Sequence, residues 1–156
     1  MASSTLTSNF NGLSPTGFKL SIDRTKYANV EYFVTSFSIP DISIGEIQLP
    51  YRGQIGYIPG ERVEYGALSI RFMIDEDMKN YIEIYNWIQD NVAKKSITTS
   101  DMILSVLTSH NNVSKEFQFI NAFPTSSSGI EFGTQNTEVE YLQADISFRY
   151  DRFKIL

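Results

Sequence analysis

The stretch GQIGYIPGERVEYGALSIRFMIDEDMKNYIEIYNWI, residues 53–88, opens on spaced glycines and closes on an acidic cluster and an aromatic segment. Within it, Leu68, Ile70, Phe72 and Ile74 recur at every second position, the period of a half-buried strand. The period then lengthens: Met78, Tyr81, Ile82, Tyr85, Ile88 and Val92 fall at helical spacing. Asp75 is placed to cap that helix, with Glu76 and Asp77 in its first turn and Lys94 and Lys95 at its end, matching the helix dipole.

The glycines and acids of this stretch also suggest phosphate or metal chemistry, which their spacing rejects. A phosphate-binding loop needs Gly-x4-Gly-Lys-Ser/Thr opening a helix, so that backbone amides and a lysine reach the phosphates. Here Gly53, Gly56 and Gly60 have other spacings, Glu61 and Arg62 follow, and the next element is a strand. These glycines are expected to be turn residues. A calcium loop needs oxygens at alternating positions over about a dozen residues with a central glycine, and the trio Asp75, Glu76 and Asp77 lacks that pattern. No cofactor and no metal are expected.

Upstream, PYRGQIGYIPGERVEYG (residues 50–66) packs two prolines and four glycines into seventeen residues yet carries Tyr51, Ile55, Tyr57, Ile58 and Tyr65. It reads as a long loop or irregular hairpin. A loop this apolar is expected to dock on something. Further strands follow from alternation in FKLSI (18–22), VEYFVTSFSI (30–39), ISIGEIQL (42–49), MILSVLTS (102–109), EFQFINAF (116–123) and EYLQADISFRYDRFKI (140–155). In the second of these, Phe33, Phe37 and Ile39 are set on one face and Tyr32 and Val34 on the other. SHNNVS (109–114) is a hairpin turn and PTSSSG (124–129) a loop. About seven strands with one helix predict a mainly β, antiparallel sandwich or barrel with one flanking α-helix.

The chain has 156 residues, enough for one domain with a sizeable core. Residues 1–16 are rich in Ser, Thr and Asn and read as an N-terminal arm that orders on assembly; residues 17–156 form the β domain. With no cysteine, disulfides and thiolate metal sites are ruled out. No secretory signal and no membrane-spanning run are evident, so synthesis in a cytoplasm and no stable membrane association are expected. A net charge of −5 argues against tight nucleic-acid binding, which needs a basic surface. His110 falls in the hairpin turn without the partners of a catalytic triad, and the NVS at Asn112 is read as chance. Trp87 is read as core or interface packing. No enzyme site emerges, so the chain is expected not to be an enzyme.

The order of these signals resembles the tail tube proteins of contractile-tail, T4-like bacteriophages and of related contractile injection systems. The pieces that carry the likeness are IPGER leading into a strand, the DED cluster, the helix bearing YNWI, INAFPTSSSGIEF, and the last strand ADISFRYDRFKI, spread over residues 17–156. The resemblance implies protomers joined edge to edge in hexameric rings. Such rings stack into a tube inside a contractile sheath, rise from baseplate or tube-initiator proteins, and pass double-stranded DNA through the lumen without specific binding. It implies a place in the virion, and a subunit interface formed by Tyr51, Arg52, Ile55, Tyr57, Ile58 and Tyr65. Same-fold alternatives are a tube initiator, a baseplate or terminal ring, and an injection-particle or type VI secretion tube. A monomeric module holding a glycan or peptide on its tyrosines is the rival from another class.

Overall fold

The computed structural model describes residues 11–23, 27, 33–93, 97–135 and 137–156. Their strands are β1 (Phe18–Ser21), β2 (Val34–Ser38), β3 (Ile42–Tyr51), β4 (Gln54–Tyr65), β5 (Leu68–Met73), β6 (Ser100–Leu107), β7 (Val113–Ser127), β8 (Gln143–Arg149) and β9 (Arg152–Ile155), with helix α1 (Lys79–Ala93) between β5 and β6. Seven of the strands form one antiparallel sheet in the order β1-β6-β7-β8-β5-β2, with β9 on the other flank of β7. The remaining two, β3 and β4, pair only with each other. The mainly β, antiparallel class predicted from the sequence is the one observed.

The long strand β7 makes two layers out of one sheet. Phe117–Ile120 pair with β9, while Phe123–Ser127 pair with β8. Between them Asn121 adopts a left-handed conformation (φ 55°), which bends the strand from one layer to the other. The last predicted strand turns at the same level, splitting into β8 and β9 around Tyr150 and Asp151. PTSSSG is therefore not all loop: Pro124 to Ser127 continue β7, with a register shift beside Pro124. A proline missing its amide hydrogen is tolerated at such an irregularity.

Between the layers lie Leu68, Ile70 and Phe72 of β5, Ala144, Ile146 and Phe148 of β8, Met102 and Leu104 of β6, and Phe119 of β7. Alternation in β5 thus buries the face the sequence indicates, Ile74 included. In β2 a bulge between Val34 and Ser36 changes the outcome. It lets Val34 and Phe37 both touch the core, although simple alternation sets them on opposite faces. Tyr32 and residues 1–10 of the arm lie outside the described residues, as do Lys94 and Lys95.

Helix α1 starts later than its acidic signal suggests. Met78 is left-handed (φ 57°) and halts the backbone one residue before Lys79. Asp75 still caps, accepting the Lys79 amide at 2.7 Å. Glu76 and Asp77 fall in the preceding turn rather than in the helix. The buried face is Asn80, Ile84 and Trp87, whereas Ile82, Tyr85 and Val92 of the predicted stripe are exposed. Asn80 fixes this rotation, because its buried amide donates to the Met73 carbonyl at 2.7 Å. Trp87 is core: its indole N–H donates to the Thr98 carbonyl at 2.9 Å and its ring stacks on Tyr27 at 3.9 Å.

Candidate assembly interface

Residues 50–66, which read as loop or irregular hairpin, belong to a long ribbon of β3 and β4 that runs from Ile42↔Tyr65 to Tyr51↔Gln54 with one shift of register. The sequence obscures this because Pro50 and Pro59 look like strand breakers. In a two-stranded ribbon each strand has one unpaired side, where a missing N–H costs nothing. Arg52 and Gly53 form the connection, and Gly53 has φ 89°, a conformation that a second turn residue reaches most easily as glycine. Of the three glycines expected in turns only this one is. Gly56 lies in β4 under the Tyr51 ring, and Gly60 lies where the ribbon is irregular. There Glu46 faces Pro59 while Ile44 faces Val63, so β4 bulges through Gly60, Glu61 and Arg62. A Cβ on Gly60 would stand 2.7 Å from the Gly45 carbonyl oxygen, closer than backbone can tolerate.

The ribbon is anchored at its base. The Gly66 amide donates to the Asp41 carbonyl at 3.0 Å, and the Tyr150 hydroxyl donates to the Gly66 carbonyl at 2.8 Å. The Tyr65 ring packs on Phe153 at 5.3 Å and Tyr150 at 6.0 Å. Burial, then the neighbouring Asp41 charge, pushes the Tyr150 hydroxyl up to about 12. Of the six residues assigned to an interface, Tyr65 is therefore set apart, half-buried at the root of the ribbon.

The other five lie at the distal end. Cross-strand partners share a face, so the pairing Ile47↔Ile58 and Tyr51↔Gln54 puts Tyr51 and Ile58 on one side. Pro50↔Ile55 and Gln48↔Tyr57 put Ile55 and Tyr57 on the other. All four side chains are exposed, Tyr57 at 57%. Ile42, Ile44, Ile47 and Val63 are exposed on the same ribbon. Sequence reasoning missed these because IS-IG-EI alternates like an ordinary core-facing strand. Nothing local announces that these side chains stay exposed.

Between residues 47 and 60 the only charged side chain is Arg52. On the outer face of the sandwich, Arg71 and Asp145 form a two-pronged pair at 2.7 and 3.1 Å. The hydrogen bond from Arg71 holds the Asp145 carboxyl below its ordinary range. Among the described residues no group of three or more His, Cys, Asp or Glu is arranged to hold a metal ion. No described helix is long and apolar enough to cross a membrane. His110 is exposed in the β6–β7 turn, 3.3 Å from the Ser109 hydroxyl.

Among the described residues, a bent seven-stranded sandwich flanked by α1, with a detached ribbon, defines a tail-tube-like fold. The chain is similar over its whole length to the tube-terminating cap of the anti-feeding prophage (TM-score 0.74, 21% identity, 100% of this chain and 99% of that one). It is also similar to a chain of the sheath-tube complex of an extracellular contractile injection system (TM-score 0.72, 19% identity, 93% and 91% covered). A crystal structure of an Hcp protein shares the fold more distantly (TM-score 0.55, 10% identity, 87% and 90% covered). No protein-family model and no curated protein sequence matches the chain.

Proposed function

We propose that this chain is a structural subunit of a contractile tail or injection particle, forming hexameric rings that stack into the inner tube. The observation that carries the reading is the β3–β4 ribbon. It exposes Tyr51, Ile55, Tyr57 and Ile58 on two faces, with no layer over them among the described residues. A ribbon of this kind is a liability on a monomer and is expected where neighbouring copies cover it. Each such side chain gains about 1.5–3 kcal/mol when fully buried, so four together outweigh much of the entropic cost of association. The interface comprises these four, Arg52 at the tip, and Tyr65 holding the root. Among the described residues, β1, β2 and β9 each pair on one side only, leaving edges for neighbours within a ring.

The tube stands inside a contractile sheath and starts from baseplate or initiator proteins. Its acidic balance, −5 per chain, suits a conduit that repels phosphate so that double-stranded DNA slides through unheld. The particle, a virion tail or its extracellular relative, is the place of action.

A second reading has specific support: a neighbour that covers this chain end to end is a terminating cap. A cap would form one ring and stop. Negative-stain microscopy of the purified chain across a concentration series separates the two. Sixfold rings that grow into open-ended tubes favour the tube subunit; sixfold rings that never lengthen favour the terminal ring. A protein that stays monomeric at every concentration defeats both.

A further inference from the structure

A groove of about 490 Å³ opens between the start of β8, the end of β5 and the turn that precedes α1. Its apolar lining includes Met73, Met78, Phe132, Tyr141 and Leu142, and its charged lining residues, Asp75, Glu76 and Glu140, are all acidic. Phe132 and Tyr141 are 76% and 71% exposed. The loop that supplies them, residues 128–142, carries Glu131, Glu138 and Glu140 and no lysine or arginine. An apolar floor with an acidic rim suits a segment that is apolar with a single positive charge.

This chain has such a segment. The tip of the β3–β4 ribbon presents Tyr51, Ile55 and Tyr57 around Arg52, the one charged side chain from residue 47 to residue 60. We propose that the ribbon tip of one copy docks in the acidic groove of a second copy, Arg52 meeting the rim of Glu76 and Glu140. The proposal rests on the reading of the chain as a self-stacking tube component, and it names the surface on which the ribbon lands.

The contact joins two different surfaces of the chain. The ribbon leaves the sandwich where β5 begins, at Gly66 and Leu68, and the groove lies where β5 ends, at Met73. Six strand residues separate them, about 20 Å, and the ten residues of β3 carry the tip about 33 Å further along the ribbon. The root of the ribbon and the groove therefore lie at opposite ends of β5, and a tip seated in the groove of the next copy joins two different surfaces of the chain. A heterologous contact of this kind repeats from copy to copy and propagates a stack.

The absence of cysteine from the chain permits a direct test. Arg52→Cys and Glu140→Cys variants, both at exposed positions, are purified separately, mixed and treated with a short bismaleimide. Dimers joining position 52 of one copy to position 140 of another, identified by peptide mass, are the expected product. Particles that assemble but yield only 52–52 or 140–140 products, or none, overturn the docking while leaving ring stacking intact. Failure of the native chain itself to assemble overturns both. As a second readout, Arg52→Glu should raise the concentration needed for assembly about tenfold through like-charge repulsion across the contact, and Glu76→Arg with Glu140→Arg should restore it. An unchanged assembly concentration in Arg52→Glu overturns the proposal.

Discussion

The Asn121 side-chain amide donates to the Asp151 carboxylate at 2.7 Å, tying β7 to the β8–β9 turn at the point where both cross from one layer to the other. Two backbone links reinforce it: the Asp151 amide on the Ile120 carbonyl at 3.0 Å, and the Asn121 amide on Asp101 Oδ1 at 3.0 Å. The corner needs a residue that accepts positive φ and also reaches Asp151, and asparagine does both. Asn121→Ala should destabilise the fold by about 2 kcal/mol, combining backbone strain with a lost charge-assisted bond. Asn121→Gly should cost about half as much, since glycine relieves the strain. Urea unfolding of the two variants checks the order; equal losses would mean that the left-handed backbone costs nothing.

Trp87 joins α1 to the sandwich through one hydrogen bond and two ring contacts, Tyr27 at 3.9 Å and Phe148 at 5.9 Å. Replacing it with alanine should cost about 3–5 kcal/mol from lost burial and the cavity left behind. Trp87→Phe should cost less, but it leaves the Thr98 carbonyl without the indole donor. Because the chain has a single tryptophan, its emission in the native protein should be blue-shifted and should move to red in one step on unfolding. Emission at the solvent-exposed wavelength in native buffer would contradict this burial.

Two tyrosines make the fold sensitive to alkali. Burial, followed by the Asp23 charge, pushes the Tyr27 hydroxyl up to about 12, and Tyr150 is pushed up to about 12 by burial and then Asp41. In the unfolded chain both ionise near 10. Above that pH the unfolded state binds fewer protons than the native state, so stability falls as pH rises. Their contribution should be intact below pH 10 and lost progressively up to about 12. The urea midpoint measured from pH 8 to 12 should show that decline, and Tyr150→Phe should flatten it. A midpoint unchanged to pH 12 would contradict the burial of these hydroxyls.

The close approach of Gly60 to Gly45 gives the ribbon a separate vulnerability. Gly60→Val forces the two backbones apart at the bulge, yet the ribbon lies outside the core. Thermal unfolding of the sandwich should therefore stay within about 0.5 kcal/mol of the native chain, while assembly should be impaired. A large drop in global stability would show that the ribbon folds as one unit with the sandwich.

How much of this was legible in the sequence depends on whether the signal was local. The alternation of Leu68, Ile70, Phe72 and Ile74 read correctly because one face of β5 meets the core directly. The β6–β7 turn was equally plain, with Asn111 supplying the positive φ. The helix was found, but its rotation was not. Tertiary ties from Asn80 and Trp87 chose between two apolar stripes that periodicity alone does not rank. β2 was misread because one bulge reverses alternation, and the ribbon was half-missed because its prolines and glycines mimic a loop. The apolar tip was picked out from composition. The acidic groove was not, since Met73, Met78, Phe132 and Tyr141 come from three segments that only the fold brings together.

The exposed ribbon is expected to drive self-assembly of this chain. Sedimentation velocity across a concentration series, comparing the native protein with a Tyr51→Ser, Ile55→Ser, Tyr57→Ser, Ile58→Ser variant, tests it most directly. Native species of six chains or more that grow with concentration are expected, with a variant equally folded by circular dichroism but unable to stack. A native protein that sediments as a single chain at every concentration, or a variant that assembles as well as the native one, would contradict it.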